Sequence, residues 1–156
     1  MRKRFEAQYT FTKTPIELVK IPEKSRDELP PVLAALQWIF KTKEVNEEIF
    51  KLLEEKVCGN KKKTGRSGMD LWHILVLGIV RLALNCDYDR LEYLVHYDIL
   101  LREIMGLEPT FEGEFGKGFH QKTIIENVGY IDEALLQKIN EIVVKKGYNL
   151  IKKKRK

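Results

Sequence analysis

The sequence predicts an all-α fold, a helical bundle with trihelical units of helix-turn-helix type and an extended N-terminal arm. Three observations predict it. Leu71 to Leu84 is apolar at almost every position, and at about 100° per residue it leaves Asp70, His73, Leu77 and Arg81 on one narrow stripe. A helix this apolar must be surrounded by other helices or lie in a membrane. With a histidine and an arginine in it, the segment is shorter than the roughly 20 residues that span a bilayer. Next, Asp87 and Asp98 stand where a capping side chain is needed to open two further helices. Finally, apolar residues recur at helical spacing on both sides of this centre.

Taken in order, Met1 to Ile21 lacks helical periodicity, and Ile16, Leu18, Val19 and Ile21 are expected to lie extended on the core. Ser25 and Glu28 have capping-box spacing. The following helix is expected from about Pro30 to Phe40, with Val32, Leu33, Leu36, Ile39 and Phe40 inward and Trp38 as a further anchor. Asn46 is expected to cap the next helix, with Ile49, Phe50, Leu53 and Val57 inside and Glu47, Glu48, Glu54 and Glu55 mostly outside. Two of these acids fall in the first turn, which suits the helix dipole. Gly59 should end that helix. After the central segment, Asn85 and Cys86 break the apolar run, and Asp87 opens a helix with Leu91, Leu94 and Val95 inward. His96 and Tyr97 form a corner. Asp98 caps a short helix carrying Ile99, Leu100, Ile104 and Met105, closed by Gly106 in a left-handed conformation. Phe111, Phe115 and Phe119 anchor a loop interleaved with glycines. A helix then runs to about Val128, capped by Thr123 or His120. Asp132 opens the last one, with Leu135, Leu136, Ile139, Ile142 and Val143 inside and Gly147 as its terminator. The expected divisions are an arm over 1–24, a helical domain over 25–148 and a basic tail or linker over 149–156.

One hundred and fifty-six residues, 44% of them hydrophobic, suit one domain with one core. Cys58 and Cys86 share no pairing pattern, and MRKRFEAQYTF leads into no apolar stretch; both observations predict a reduced, cytoplasmic setting. The tail Lys152–Lys156 carries five positive charges and Lys61, Lys62, Lys63 and Arg66 four more. Against a total of +5, the rest of the chain is therefore net negative by four. Positive charge gathered in two segments attracts polyanions through counterion release.

Several chemistries fail on spacing. Gly59 to Gly68 has one residue too many for a phosphate-binding G-x-x-x-x-G-K-[ST] loop, carries Arg66 in place of the lysine, and follows a helix where a strand is needed. His73, His96, His120, Cys58 and Cys86 share no metal-ligand spacing, so neither a metal nor another cofactor is expected. His73 reads instead as a partly buried donor. Asp87 and Asp89, two apart at a helix start, point to different sides. Capping accounts for Asp87, and an ion pair with Arg81 or Arg90 for Asp89.

The run from Gly65 to Gly106, above all GMDLWHILVLGIVRL, LNCDYDRLE and LLREIMGL, resembles the helical N-terminal region of DDE-type insertion-sequence transposases. The similarity extends upstream through RDELPPVLAALQWIF and downstream through QKTIIENVGYIDEALLQKINEIVVKKG. Ser67 is a departure, standing where proline is expected. The resemblance implies binding of double-stranded DNA, the terminal inverted repeats of a mobile element, ahead of an RNase H-like catalytic domain. In that domain, not in this region, three carboxylates hold the metal ions for phosphoryl transfer. No aspartate here matches that triad, so this chain alone is expected to bind and not to cut. A catalytic transposase domain is the expected partner, and pairing of two DNA ends points to a homodimer, although no heptad seam is present.

For DNA contact, Gln121, Lys122, Thr123 and Asn127 open a helix with amide, cationic and hydroxyl groups of the kind that read base edges and phosphates. Arg102 competes with them, and Lys61, Lys62, Lys63 and Arg66 would reach phosphates. Two other readings stand beside this one. The first is a freestanding or truncated helix-turn-helix regulator that inhibits transposition. The second is a protein-interaction module with Trp38, Trp72 and the phenylalanines lining a groove.

Overall fold

The computed structural model describes residues 3–5, 14–59, 68–107 and 119–154, with side chains to residue 147. These residues form seven α-helices and no strand: α1 Leu29–Lys41, α2 Lys43–Leu53, α3 Leu71–Leu84, α4 Tyr88–Tyr97, α5 Ile99–Met105, α6 Gln121–Val128 and α7 Glu133–Lys154. The fold is all-α, as the periodicity predicts. No helix among the described residues is long and apolar enough to cross a membrane.

Helix α3 is the axis of the bundle. It packs against α1, α2, α4, α5 and α6, and Leu71, Trp72, Ile74, Leu75, Val76, Leu77 and Val80 are all fully buried. At Gly78 the chain following α6 comes so close that an added Cβ would overlap the side chain of Ile131. Asn85 ends the helix in the left-handed region, at φ 49°.

Side chains of α3 complete its neighbour. A helix leaves its last carbonyls without partners. Two of those in α5 are served by adjacent residues of α3. Trp72 Nε1 donates to the Ile104 carbonyl at 2.9 Å. His73 Nε2 lies 2.8 Å from the Met105 carbonyl; a carbonyl only accepts, so the imidazole donates.

The first turn of α3 is completed from the other end of the chain. Asp70 makes no side-chain cap. Instead the Leu71 and Trp72 amides donate to the carbonyls of Lys3 and Arg4, both at 2.9 Å. The Arg4 guanidinium bridges Glu54 at 2.6 Å and Glu47 at 2.7 Å on the α2 side. The Phe5 ring stands edge-on to Phe40 at 5.8 Å and packs over Gly106. Further on, the arm is not extended. Ile16–Leu18 form a single 3-10 turn, with Ile16 and Val19 buried and Leu18 exposed. Gln37 Nε2 clamps this turn by donating to the carbonyls of Ile16 and Val19 at 2.9 and 2.8 Å.

Two helix starts differ from expectation. The Ser25 hydroxyl accepts from the Asp27 amide and the Asp27 carboxylate from the Leu29 amide, both at 3.1 Å. Two staggered turns thus lead into α1 in place of the expected capping box, with Pro30 and Pro31 in the first helical turn. Helix α2 starts at Lys43, not at Asn46, because Val45 is fully buried and carries the apolar period one turn further back. The amide of Asn46 reaches the Phe40 carbonyl at 3.4 Å. Beyond Leu53 the helix widens over Glu54–Cys58, where the Gly59 amide bonds five residues back to the Glu54 carbonyl at 3.3 Å. Gly59, at φ 38°, ends it.

Helix α7 does not stop at Gly147. A glycine terminator works by taking a positive φ, and among the described residues only Gly59, Asn85 and Gly106 have one. Helix α7 lies antiparallel to α2, with Lys56 meeting Asp132 at 3.0 Å and Lys146 meeting Glu44 at 2.7 Å. The acidic face of α2 is therefore partly spent on the arm and on α7.

Candidate nucleic-acid interface

Helices α4 and α5 follow from their capping residues. The Asp87 carboxylate accepts from the Arg90 amide and Asp98 from the Leu101 amide, both at 2.8 Å. Gly106, at φ 73°, closes α5. Leu91, Leu94 and Val95 face inward as expected; on α5 Ile104 and Met105 are buried together with Leu101, while Ile99 is 69% exposed.

Arg102 lies inside this unit. It is 2% exposed, and its Nη1 donates to the Val95 carbonyl in the last turn of α4 at 2.7 Å. Burial pulls its pKa below the usual guanidinium value. The cation serves the negative end of α4, so the expectation of a DNA contact from Arg102 is corrected. Arg81 differs from expectation too. Its guanidinium stacks on Tyr88, 4.5 Å from the ring centre, and it has no ion pair among the described residues.

The start of α6 divides into inner and outer residues. Asn127 is 6% exposed and donates to the Thr123 carbonyl at 2.7 Å, one turn back on its own helix. It belongs to the packing side with Ile124 and Val128, so Asn127 is not a base reader, and Thr123 is half-buried. His120 precedes the helix without a side-chain cap. Lys122 is exposed. Gln121 is half-buried and donates through Nε2 to the Asp89 carboxylate of α4. Asp89 thus holds the Gln121 amide by its donor end and leaves the amide oxygen as an acceptor. Lys61, Lys62, Lys63 and Arg66 lie outside the described residues.

Beside Gln121, the outer face of α4 carries a row that sequence reasoning missed. Tyr93 and Tyr97 are 53% and 47% exposed, with ring centres 4.8 Å apart. The Arg90 guanidinium lies 5.3 Å from the Tyr93 ring, and His96 stands edge-on to Tyr97. The signal was present: Tyr93 and Tyr97, four apart, fall off the Leu91–Leu94–Val95 face. Guanidinium and phenol groups on an exposed helix are phosphate donors. This face is not strongly basic, because Glu92 and Glu126 accompany Arg90 and Lys122.

An open cleft of about 570 Å³ separates the start of α1 from the α3–α4 corner, with Arg26, Glu28, Cys86, Asp87 and Asp98 among its lining. Asp87 and Asp98 are occupied as caps, and burial pushes the Cys86 thiol above its usual pKa, away from the thiolate. Among the described residues no three of the metal-ligating types converge. Trp72 is fully buried, so it lines no partner groove. Compared with known proteins, the chain matches no family model, no curated protein and no solved structure.

Proposed function

We propose that the chain binds double-stranded DNA, the terminal inverted repeats of an insertion sequence, as the N-terminal region of a DDE-type transposase. The observation that carries this reading is the start of α6. There Lys122 is exposed and Gln121 is fixed by Asp89, on a support whose corners are capped by Asp87 and Asp98. An amide held in one orientation can pair with a base edge, and a neighbouring ammonium can take the adjacent phosphate. Arg90, Tyr93 and Tyr97 extend the same side toward the backbone. The resemblance of the run from Gly65 to Gly106 supplies the element-end target. On this reading the cutting carboxylates belong to the separate catalytic domain and the role of this chain is to bind, which agrees with Asp87, Asp98 and Asp132 serving as helix caps and Asp89 holding Gln121.

A freestanding regulator would use the same contacts. The test is a gel shift against the flanking inverted repeats with scrambled duplex as control, repeated with magnesium or manganese to follow nicking. Preferred retention of the repeats, without cleavage, is expected. Equal binding to both duplexes at physiological salt would sink the end-recognition reading. Metal-dependent nicking abolished by Asp89→Asn would sink the non-catalytic one.

A further inference from the structure

The α4–α6 face has too few cations to hold a duplex by itself, and the pairing of α2 with α7 assembles a second group elsewhere. Lys41 ends α1 and Lys43 begins α2, with only Thr42 between them, and both lysines are exposed. The Lys146–Glu44 pair joins residues 102 apart in the chain and sets exposed Lys145 at this same α1–α2 corner. Glu44 is neutralised by Lys146, and Glu48 lies one turn further along α2. Helix α2 has only Lys43 beyond Glu44, so α7 outruns it. From Lys146 the helix continues about 12 Å to Lys154 at 1.5 Å per residue, and its last turn holds Lys152, Lys153 and Lys154.

We propose that this end of the bundle, at Lys41, Lys43 and Lys145, is a landing site for the phosphate backbone of double-stranded DNA. The inference rests on the DNA-binding reading and adds a contact surface to it. The occupant follows from the charge layout. Single cations set apart on three helices match a chain of phosphates, whereas one small anion would need convergent donors. They come from three different helices and not from one face of an amphipathic helix, which is what an anionic lipid surface would require. Lysines that meet phosphates fix position without reading bases, so the surface is blind to sequence.

The experiment compares the full chain with a Lys41→Gln/Lys43→Gln/Lys145→Gln variant, titrated with specific and scrambled duplexes over a salt series. All three side chains are exposed, so the melting temperature should stay unchanged. Affinity for both duplexes should fall by a common factor, about tenfold or more at low salt. The slope of log K against log salt should drop by roughly 0.9 for each phosphate that a lysine no longer neutralises. An unchanged slope while the parent chain binds DNA overturns the landing site and leaves the α6 reading standing. Loss confined to the specific duplex also overturns it, because the surface would then be reading sequence. Failure of the parent chain to bind either duplex brings down both proposals. Tighter binding to anionic phospholipid vesicles than to duplex, abolished in the triple variant, assigns the surface to membranes and overturns the inference.

Discussion

Arg102 and Arg81 both lie among apolar side chains, and they are held in different ways. Arg102 is buried on a carbonyl at the end of α4; Arg81 is half-buried on the Tyr88 ring. Removing Arg102 leaves the Val95 carbonyl short of a charge-assisted bond, a loss of about 1–3 kcal/mol. Arg102→Met, which keeps the side-chain bulk, is therefore expected to lower the unfolding free energy by that amount, read from urea titration. It should leave DNA affinity per folded molecule unchanged. Retained stability without DNA binding would return Arg102 to the interface. Its burial was hard to read from sequence. Helix α5 spans seven residues, two turns, too few for periodicity to choose between a face through Leu101 and Arg102 and one through Ile99 and Leu100. The longer α3 and α4 were legible because their inner faces repeat and aspartates stand at their starts. Asn127 was misread for another reason: an amide suits a base edge and a helix's own carbonyl equally well.

At the scale of elements, the docking of residues 3–5 could not be read in advance. The atoms that cap α3 are backbone carbonyls, and every residue has one. Lys3, Arg4 and Phe5 together touch α2, α3 and the end of α5. The Arg4 pairs are partly exposed and screened by salt, so they contribute little. The apolar packing of Phe5 is the larger anchor. Phe5→Ala is expected to cost about 2 kcal/mol and to speed hydrogen exchange at the Leu71 and Trp72 amides ahead of the rest of α3. Uniform acceleration along α3 would show that the arm does not dock separately. Helix α7 supplies a prediction of opposite sign. Gly147 sits inside it, and a Cβ there would meet nothing within 4 Å. Gly147→Ala should therefore raise stability by roughly 0.5–1 kcal/mol, read as a higher melting temperature. No gain would mean that the helix does not persist through this position in solution.

Across the whole molecule, partly exposed ion pairs link the α2 side to α7 and to Arg4, and they respond to pH. The Asp132 carboxyl is held below its usual range, first by the Leu135 amide and then by Lys56. A depressed pKa adds stability above the unfolded value of about 3.9, and that stability disappears as pH falls through the folded value. Asn caps as well as Asp, so Asp132→Asn isolates the charge. The variant should be less stable near neutrality by about 0.2–1 kcal/mol, given how exposed the pair is. The gap should close as the pH is taken below the carboxylate range. A gap that persists in acid would assign the effect to geometry rather than ionisation. Lys146, raised by Glu44, acts at the other limb, its contribution fading as alkali deprotonates it.

The same charge separation governs how the molecule would meet DNA. Outside its two basic segments the chain is net negative, so on the proposed DNA-binding reading phosphate affinity would fall to a few cationic groups and discrimination to α6. Replacing Lys61, Lys62 and Lys63 with glutamine should weaken specific and scrambled duplexes by similar factors. Every phosphate deprived of its lysine should flatten the salt dependence by roughly 0.9 in d log K/d log[salt]. Replacing Gln121 and Lys122 should change the slope by no more than one such step while penalising the inverted repeat more than the scrambled duplex, by about 1–3 kcal/mol if the Gln121 amide pairs with a base. The two variants therefore separate affinity from specificity in one titration series. If the lysine triple keeps full affinity and slope, the Gly59–Gly68 segment is a linker. If the α6 double variant loses both duplexes equally, Gln121 is not reading a base, and Asp89 holds it for packing alone.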